Sequence, residues 1–223
     1  MGQVIGDILP VALGVAISPM PIMAVILMLM SAHGRGSSVA FLFGWVLGIA
    51  AVLTVVTLVV GPTTGSGDQG PSTVASIVKI VLGAAALVLA VRQWRSRPKA
   101  GETPELPKWM AAIDQVTAAK AFGLGALLSA VNPKNLTLCL TGGVAIGSVG
   151  LSAGEAAIAI AIFVVIGSCT VAIPVLGFLV AREKVQPKLD ELRGWLGVHN
   201  AAVMSVVLLV IGVTIVGKGV AGL

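Results

Sequence analysis

The motif AVNPKNL, residues 130–136, interrupts an apolar segment running from Ala121 to Leu140. It places two amide side chains, a proline and a lysine among apolar neighbours. Proline removes a backbone donor and disfavours helix in the residue before it, so a helix must break here. Proline is also favoured at the first position of a helix, and Asn is a favoured cap before it. Asn132-Pro133 therefore predicts the start of a second half-helix.

A matching interruption lies in the first apolar segment, where AISPMPI, residues 16–22, places Ser18 before Pro19. The same reasoning predicts a half-helix that begins at Pro19 with Ser18 as its cap. A helix N-terminus presents backbone N–H groups and a partial positive charge. Two such ends meeting inside a protein would form a site for anionic or oxygen-rich groups.

The composition around these two breaks predicts an integral membrane protein. Hydrophobic residues make up 57% of the 223 residues and charged residues 10%, against about 25% charged in a soluble domain. Six apolar segments can be recognised, and a membrane-spanning helix needs about 20 residues. The third is short by this rule, so we expect it to begin before Ile77. The segments are approximately Val4–Met30, Val39–Val60, Ile77–Val91, Ala119–Leu140, Glu155–Val180 and Ala201–Val220.

The basic residues give these six segments a direction. Ten Lys and Arg residues follow the first, third and fifth segments, whereas Lys79 and Lys218 lie on the side of the termini. Basic loops face the cytoplasm, so we expect both termini outside the cytoplasmic membrane. The chain then divides into a three-helix repeat over residues 1–91, a cytoplasmic linker over 92–118 and a second three-helix repeat over 119–223.

The two halves would have opposite orientations, and each would carry its break in its first helix. Pro133 follows Pro19 by 114 residues. Interrupted helices at corresponding positions of two inverted halves indicate the midplane binding site of a secondary transporter. The fold class predicted is therefore all-α, with six transmembrane helices in two inverted three-helix repeats and the first helix of each repeat broken at proline.

Lys134 is the most costly residue in this pattern. A lysine at the bilayer centre costs at least about 2.5–3.5 kcal/mol on insertion scales. In the first turn of a half-helix it also opposes the helix dipole. Its ammonium must therefore face the protein interior, a water-filled cavity or an anionic ligand. The alternative is an ion pair with an acid on another helix, for which Asp7 and Glu155 are the candidates.

Other chemistry has little support in the sequence. Cys139 and Cys169 stand alone in apolar segments, without a CxxC or Cys/His pattern, and read as packing residues. The methionines of the first segment have no His or carboxylate beside them, so we expect packing rather than metal binding. We therefore expect no enzyme, no cofactor, no metal and no nucleic acid. Glycines at 44, 48, 123 and 125 predict close helix contacts.

Two stretches carry a resemblance to a known family. LPVALGVAISPMPIMAVILMLMS, residues 9–31, and AVNPKNL, residues 130–136, resemble the GAP family of membrane proteins, which includes glycopeptidolipid- and sulfolipid-addressing proteins. The resemblance covers nearly the whole chain and places it in the lysine exporter superfamily. It implies six helices in two inverted halves and export of a lipid or anionic amphiphile toward the cell envelope. The implied substrate-binding residues are Ser18, Pro19, Pro21, Asn132, Pro133, Lys134 and Asn135.

Two other functions remain open at this stage. The same half-helix ends could hold the carboxylate of a small solute such as an amino acid, which other branches of the superfamily export. The chain could instead be a non-transporting scaffold for lipid synthesis or export. A homodimer or lipid-export partner proteins are compatible with each of these. A lipid carrier should have a groove open sideways to the bilayer near Pro19 and Pro133, whereas a solute exporter should enclose a central cavity.

Overall fold

The computed structural model describes residues 1–31, 34–61, 73–97 and 116–222, and the regular structure in these ranges is entirely helical. The all-α prediction is therefore confirmed. Much of the predicted linker, residues 98–115, lies outside the described residues. Seven helices are described: α1 Gly2–Ala16, α2 Pro19–Met30, α3 Gly34–Val60, α4 Thr73–Arg95, α5 Ala118–Ala130, α6 Pro133–Gly147 and α7 Ala153–Val220.

Both predicted breaks are present. Helix α1 ends before Ile17, and α2 begins at Pro19 after a bend of 49°. Ser18 has an extended backbone between them, as expected of a residue that precedes proline. Helix α5 ends at Ala130, and α6 begins at Pro133. The proline thus ends one helix and starts the next in both places.

The region after the fifth apolar segment differs from the prediction. A loop was expected around Arg182–Arg193, but α7 continues as a helix through this region to Val220 and departs from helical geometry at Ala181. The intervening sequence is rich in Glu, Lys and Leu, which are good helix formers. Leu189 and Leu196, seven residues apart, are buried on one face of it. His199, which follows this region, is also helical.

Two described helices are long and apolar enough to cross a membrane, namely Gly34–Val60 and Ala153–Leu196. The bent pair of α1 and α2 makes a third candidate span if it is counted as one. Two shorter apolar helical segments are α5, Ala118–Ala130, and the last part of α7, Ala201–Gly217. Helix α4, 23 residues long, begins at Thr73, before Ile77 as expected.

Close helix contacts occur at three of the four predicted glycines. A Cβ on Gly44 would collide with the carbonyl oxygen of Phe122, and one on Gly125 would collide with that of Phe41. Gly48 lies equally close to Ser129. The prediction for Gly123 is wrong, because a Cβ there would meet no atom within 4 Å. These contacts press α3 and α5 together and fix the position of the second break.

Candidate functional site: the junction of the two breaks

The two breaks meet inside the protein. The Lys134 Nζ atom donates a hydrogen bond to Ser18 Oγ at 2.8 Å, and Ser18 Oγ donates to Asn135 Oδ1 at 3.0 Å. All three side chains are buried, with exposed fractions of 3% for Ser18, 7% for Lys134 and 0% for Asn135. We refer to Ser18, Lys134 and Asn135, with the helix ends that they contact, as the junction.

Lys134 has an electrostatic partner that the sequence did not reveal. Its ammonium also donates to the Ile17 carbonyl oxygen at 3.0 Å. Ile17 follows the last turn of α1, where the helix dipole is negative and carbonyls lack helical partners. The C-terminal end of α1 therefore offsets part of the lysine charge with a dipole, without supplying a full negative charge.

Asn135 serves the other helix end in the same way. Its Nδ2 atom donates to the Leu128 carbonyl oxygen at 3.0 Å, in the last turn of α5. Its Oδ1 atom accepts from Ser18 across the junction. Two consecutive residues at the start of α6 therefore satisfy carbonyls at the ends of α1 and α5, and Ser18 connects them.

The two predicted caps have different outcomes. Asn132 Oδ1 accepts from the Lys134 backbone N–H at 3.1 Å, which confirms it as the cap of α6. Ser18 makes no side-chain cap to α2, so that part of the prediction is wrong. Its hydroxyl is already engaged with Lys134 and Asn135. The buried amide and ammonium thus compete successfully with the backbone of α2.

The remaining predicted residues are prolines that shape the junction. Pro19 and Pro21 are buried in the first turn of α2, and Pro133 opens α6. A residue that sequence reasoning missed is Thr170 on α7, whose hydroxyl donates to the Ala16 carbonyl oxygen at 2.6 Å. A threonine in an apolar helix gives little signal of its own, since it often bonds to its own helix backbone.

Glu155 on α7, one of the two acids considered as an ion-pair partner of Lys134, makes its hydrogen bonds elsewhere. Glu155 accepts hydrogen bonds from the backbone N–H and the hydroxyl of Ser152 at 3.0 and 2.8 Å. These bonds form a capping box at the start of α7. Both contacts described for the Lys134 ammonium are with neutral oxygens.

A small cavity adjoins the junction between α4, α6 and α7. Its volume is about 30 Å³, which is room for about two water molecules. Lys134 and Thr137 are the polar residues among those that line it, and the Thr137 hydroxyl donates to the Pro133 carbonyl. The apolar lining is Leu82, Ala85, Ala86, Leu89, Leu138, Leu208 and Ile211.

The Lys134 ammonium can exchange the oxygens of Ile17 and Ser18 for the oxygens of a ligand. An ammonium held by a carbonyl and a hydroxyl can turn to an anionic oxygen, since hydrogen bonds between ions are about twice as strong as neutral ones.

The family model for sulfolipid-1-addressing (Sap) proteins matches residues 8–221, a range that includes both breaks and the whole cavity. The chain belongs to the sulfolipid-1-addressing protein family. No curated protein and no solved structure matches it.

Membership of the Sap family confirms the resemblance carried by the two proline motifs. Together with the apolar helices it identifies a membrane protein of a lipid-addressing family. In this Sap-family chain the two motifs contact each other through Ser18, Lys134 and Asn135.

Proposed function

We propose that this protein exports a lipid or amphiphile with an anionic head across the cytoplasmic membrane, and that the junction binds the head. The observation that carries the proposal is the buried Lys134 ammonium, whose described partners are the neutral oxygens of Ile17 and Ser18. Buried charges are costly unless they are paired. An anionic head group would supply the missing charge. The family description, a sulfolipid-1-addressing protein, agrees with a lipid cargo that carries an anionic group.

The position of the cavity favours a lipid over a small solute. It lies beside the start of α6, and its lining residues Ala85 and Leu89 are exposed on the outer face of α4. A cavity that opens toward the bilayer is what a carrier of lipids needs. The lining is also mostly apolar, which suits alkyl chains better than the polar body of an amino acid.

Six spans in two inverted halves form part of the proposal. Val15 and Ser129 correspond under the 114-residue shift that relates the two prolines. Gly48 of α3 packs on Ser129, and Gly167 of α7 packs on Val15, with a Cβ at Gly167 lying 3.4 Å from Val15 Cγ1. These glycine contacts at corresponding positions of the two broken helices support a repeat in which α3 and the first part of α7 have the same role.

The third helices of the proposed halves, α4 and the last part of α7, also contact each other reciprocally. A Cβ on Gly83 would lie 2.9 Å from the Gly212 carbonyl oxygen, and one on Gly212 would lie 3.0 Å from that of Gly83. The Ser76 hydroxyl donates to Gly222, so the two helices are antiparallel. Reciprocal contacts between antiparallel helices are expected around a two-fold axis in the membrane plane. The contact between Ser76 and Gly222 places the start of α4 and the end of α7 on the same side of the membrane. The distribution of basic residues supports that side, with both termini, being outside the cytoplasm.

The first test compares two lipids that differ in one sulfate. Purified protein is heated in neutral detergent with sulfated galactosylceramide or with its unsulfated parent. We expect the sulfated lipid at about 100 times its Kd to raise the melting temperature by about 5 °C or more. The Lys134→Met variant should not respond.

Lys120→Met provides the matched control, because Lys120 is exposed at the start of α5 and its side chain lies outside the junction. It should respond as the wild type does. If Lys134→Met folds and still distinguishes the two lipids, the head-group site is elsewhere and the proposal fails. A wild type that responds to neither lipid but to a free amino acid would favour the solute exporter. Lipid binding without lipid movement would favour the scaffold.

A further inference from the structure

The cavity lies where α4 faces α6, and these two helices contact each other little. We call this boundary between α4 and α6 the seam. Helix α4 packs against α7 along much of its length but contacts α6 only sparsely. The close approach of Gly83 to Gly212 and Val216 holds α4 on α7. Separation of α4 from α6 would therefore break few contacts, whereas separation of α4 from α7 would break many.

One face of α4 lines this seam. Leu82, Ala85, Ala86 and Leu89 recur at helical spacing and border the cavity. Ala86 is buried, Leu82 is half-buried, and Ala85 and Leu89 are exposed. The cavity therefore begins at the outer surface of α4 and runs inward along an apolar wall.

The inner wall of the cavity connects it to the junction. Leu138 and Ile211 line the cavity and also pack on Gly14 of α1, where a Cβ would lie 3.2 and 2.6 Å from their Cδ1 atoms. Gly14 is one turn before Ile17, whose carbonyl holds the Lys134 ammonium. Lys134 itself lines the cavity. Apart from Lys134 and Thr137, the lining of the cavity between the outer surface and the ammonium is thus apolar.

We propose that the seam between α4 and α6 is the lateral entrance of the protein and takes the alkyl chain of an anionic amphiphile from the bilayer. This inference rests on the proposed function, since it assumes that the head group of the same molecule reaches Lys134. An apolar wall that ends at a buried cation matches a molecule with an alkyl chain and an anionic head. The seam has room for about two waters as it stands, so the chain enters by parting α4 from α6.

The test uses a single-chain alkyl sulfate with a photoreactive diazirine at mid-chain, together with the corresponding alkyl alcohol. Full-length protein in lipid nanodiscs is irradiated with each probe, and the labelled residues are mapped by mass spectrometry. We expect the sulfate probe to label the seam face of α4, at Ala85 and Leu89, in preference to the opposite face at Ala84 and Val91, which are both exposed and do not line the cavity.

Two alanine variants of α4 sharpen the test. Ala85→Trp should block the mouth of the seam and remove the labelling of Leu138 and Leu208 inside it. Ala84→Trp adds the same side chain at an exposed neighbour that does not line the cavity, and should leave this labelling intact. If Ala85→Trp does not fold, the comparison of the two α4 faces in the wild type still decides the proposal.

The outcomes separate this inference from the proposed function. Labelling of the seam by the sulfate probe but not by the alcohol, with loss in Lys134→Met, supports both. Equal labelling by both probes supports the entrance and contradicts the head-group site. Equal labelling of the two faces of α4 overturns the entrance, whatever Lys134→Met does in the thermal test.

Discussion

The breaks at Ser18-Pro19 and Asn132-Pro133 share a sequence pattern, a polar residue before a proline, but have different roles in the structure. Asn132 caps its own helix, and the next two residues, Lys134 and Asn135, reach across to other helix ends. Ser18 leaves α2 without a side-chain cap and gives its hydroxyl to the second break. The first break thus supplies oxygens, and the second supplies the amine and the amide.

Corresponding positions show why the difference matters. Under the shift that aligns the two prolines, Lys134 corresponds to Met20 and Asn135 to Pro21. Met20 is 40% exposed, whereas Lys134 is 7% exposed. A repeat that is symmetric in its helices would therefore carry an asymmetric site, with its charge on one side. Two breaks with the same sequence pattern can therefore complement each other, with the ammonium of one donating to the oxygens of the other.

The largest effect is expected at Asn135. Asn135→Leu would leave the Leu128 carbonyl and the Ser18 hydroxyl without their partner, at about 1–3 kcal/mol for each buried group. We expect a loss of about 2–4 kcal/mol in the free energy of unfolding, measured by chemical denaturation in detergent. Thr137→Val, on the same helix, should change it little. Similar values for both variants would contradict the central place of Asn135 in the junction.

The helices that lead into the two breaks should differ next. Gly125→Ala in α5 would drive a Cβ against the backbone of α3, which cannot yield without moving the helix. Gly14→Ala in α1 would meet the side-chain ends of Ile211 and Leu138, which can turn aside. We expect Gly125→Ala to destabilise by about 1–3 kcal/mol and Gly14→Ala by less. Reversal of this order in thermal unfolding would show that α1 is the more tightly held helix.

Sequence reasoning predicted the breaks because proline chemistry is local. The start of α2 at Pro19, the start of α6 at Pro133 and the Asn132 cap each follow from a few adjacent residues. The partners of Lys134 and Asn135 could not be predicted in this way. They are backbone carbonyls of Ile17 and Leu128, and every residue has a carbonyl, so no side-chain pattern marks them.

The same limit explains the errors elsewhere. Gly123 and Gly125 look alike in sequence, but only the face of α5 that meets α3 makes a glycine necessary. The region around Arg182 is polar enough to suggest a loop, yet its helix formers and the buried pair Leu189 and Leu196 keep it helical. Local composition predicts where a helix can form, whereas packing decides whether it continues.

The cap at the second break gives a smaller, separate effect. Asn132→Ala should destabilise by about 1 kcal/mol, the usual value for loss of a helix cap. Asn132→Ser keeps a capping oxygen and should retain most of the stability. The measurement is the unfolding midpoint of each variant in the same detergent. Equal losses for alanine and serine would mean that the Asn132 amide acts through some other contact.

The smallest effect is the coupling between Ser18 and Lys134. A double-mutant cycle of Ser18→Ala with Lys134→Met should give an interaction energy of about 0.5–1.5 kcal/mol, because the two side chains share a hydrogen bond. The parallel cycle with Lys120→Met should give none. Additive effects in the first cycle would mean that the two breaks are independent and that their contact adds no stability.

Lipid movement in proteoliposomes tests whether the protein transports a lipid whose anionic head binds at the junction. Fluorescent phosphatidylglycerol and phosphatidylcholine are placed in vesicles, and a membrane-impermeant quencher reports the fraction that changes leaflet. We expect wild type and Lys120→Met to move phosphatidylglycerol faster than phosphatidylcholine. Lys134→Met should lose this difference while remaining folded. Equal movement of phosphatidylglycerol by wild type and Lys134→Met would contradict binding of the head at the junction.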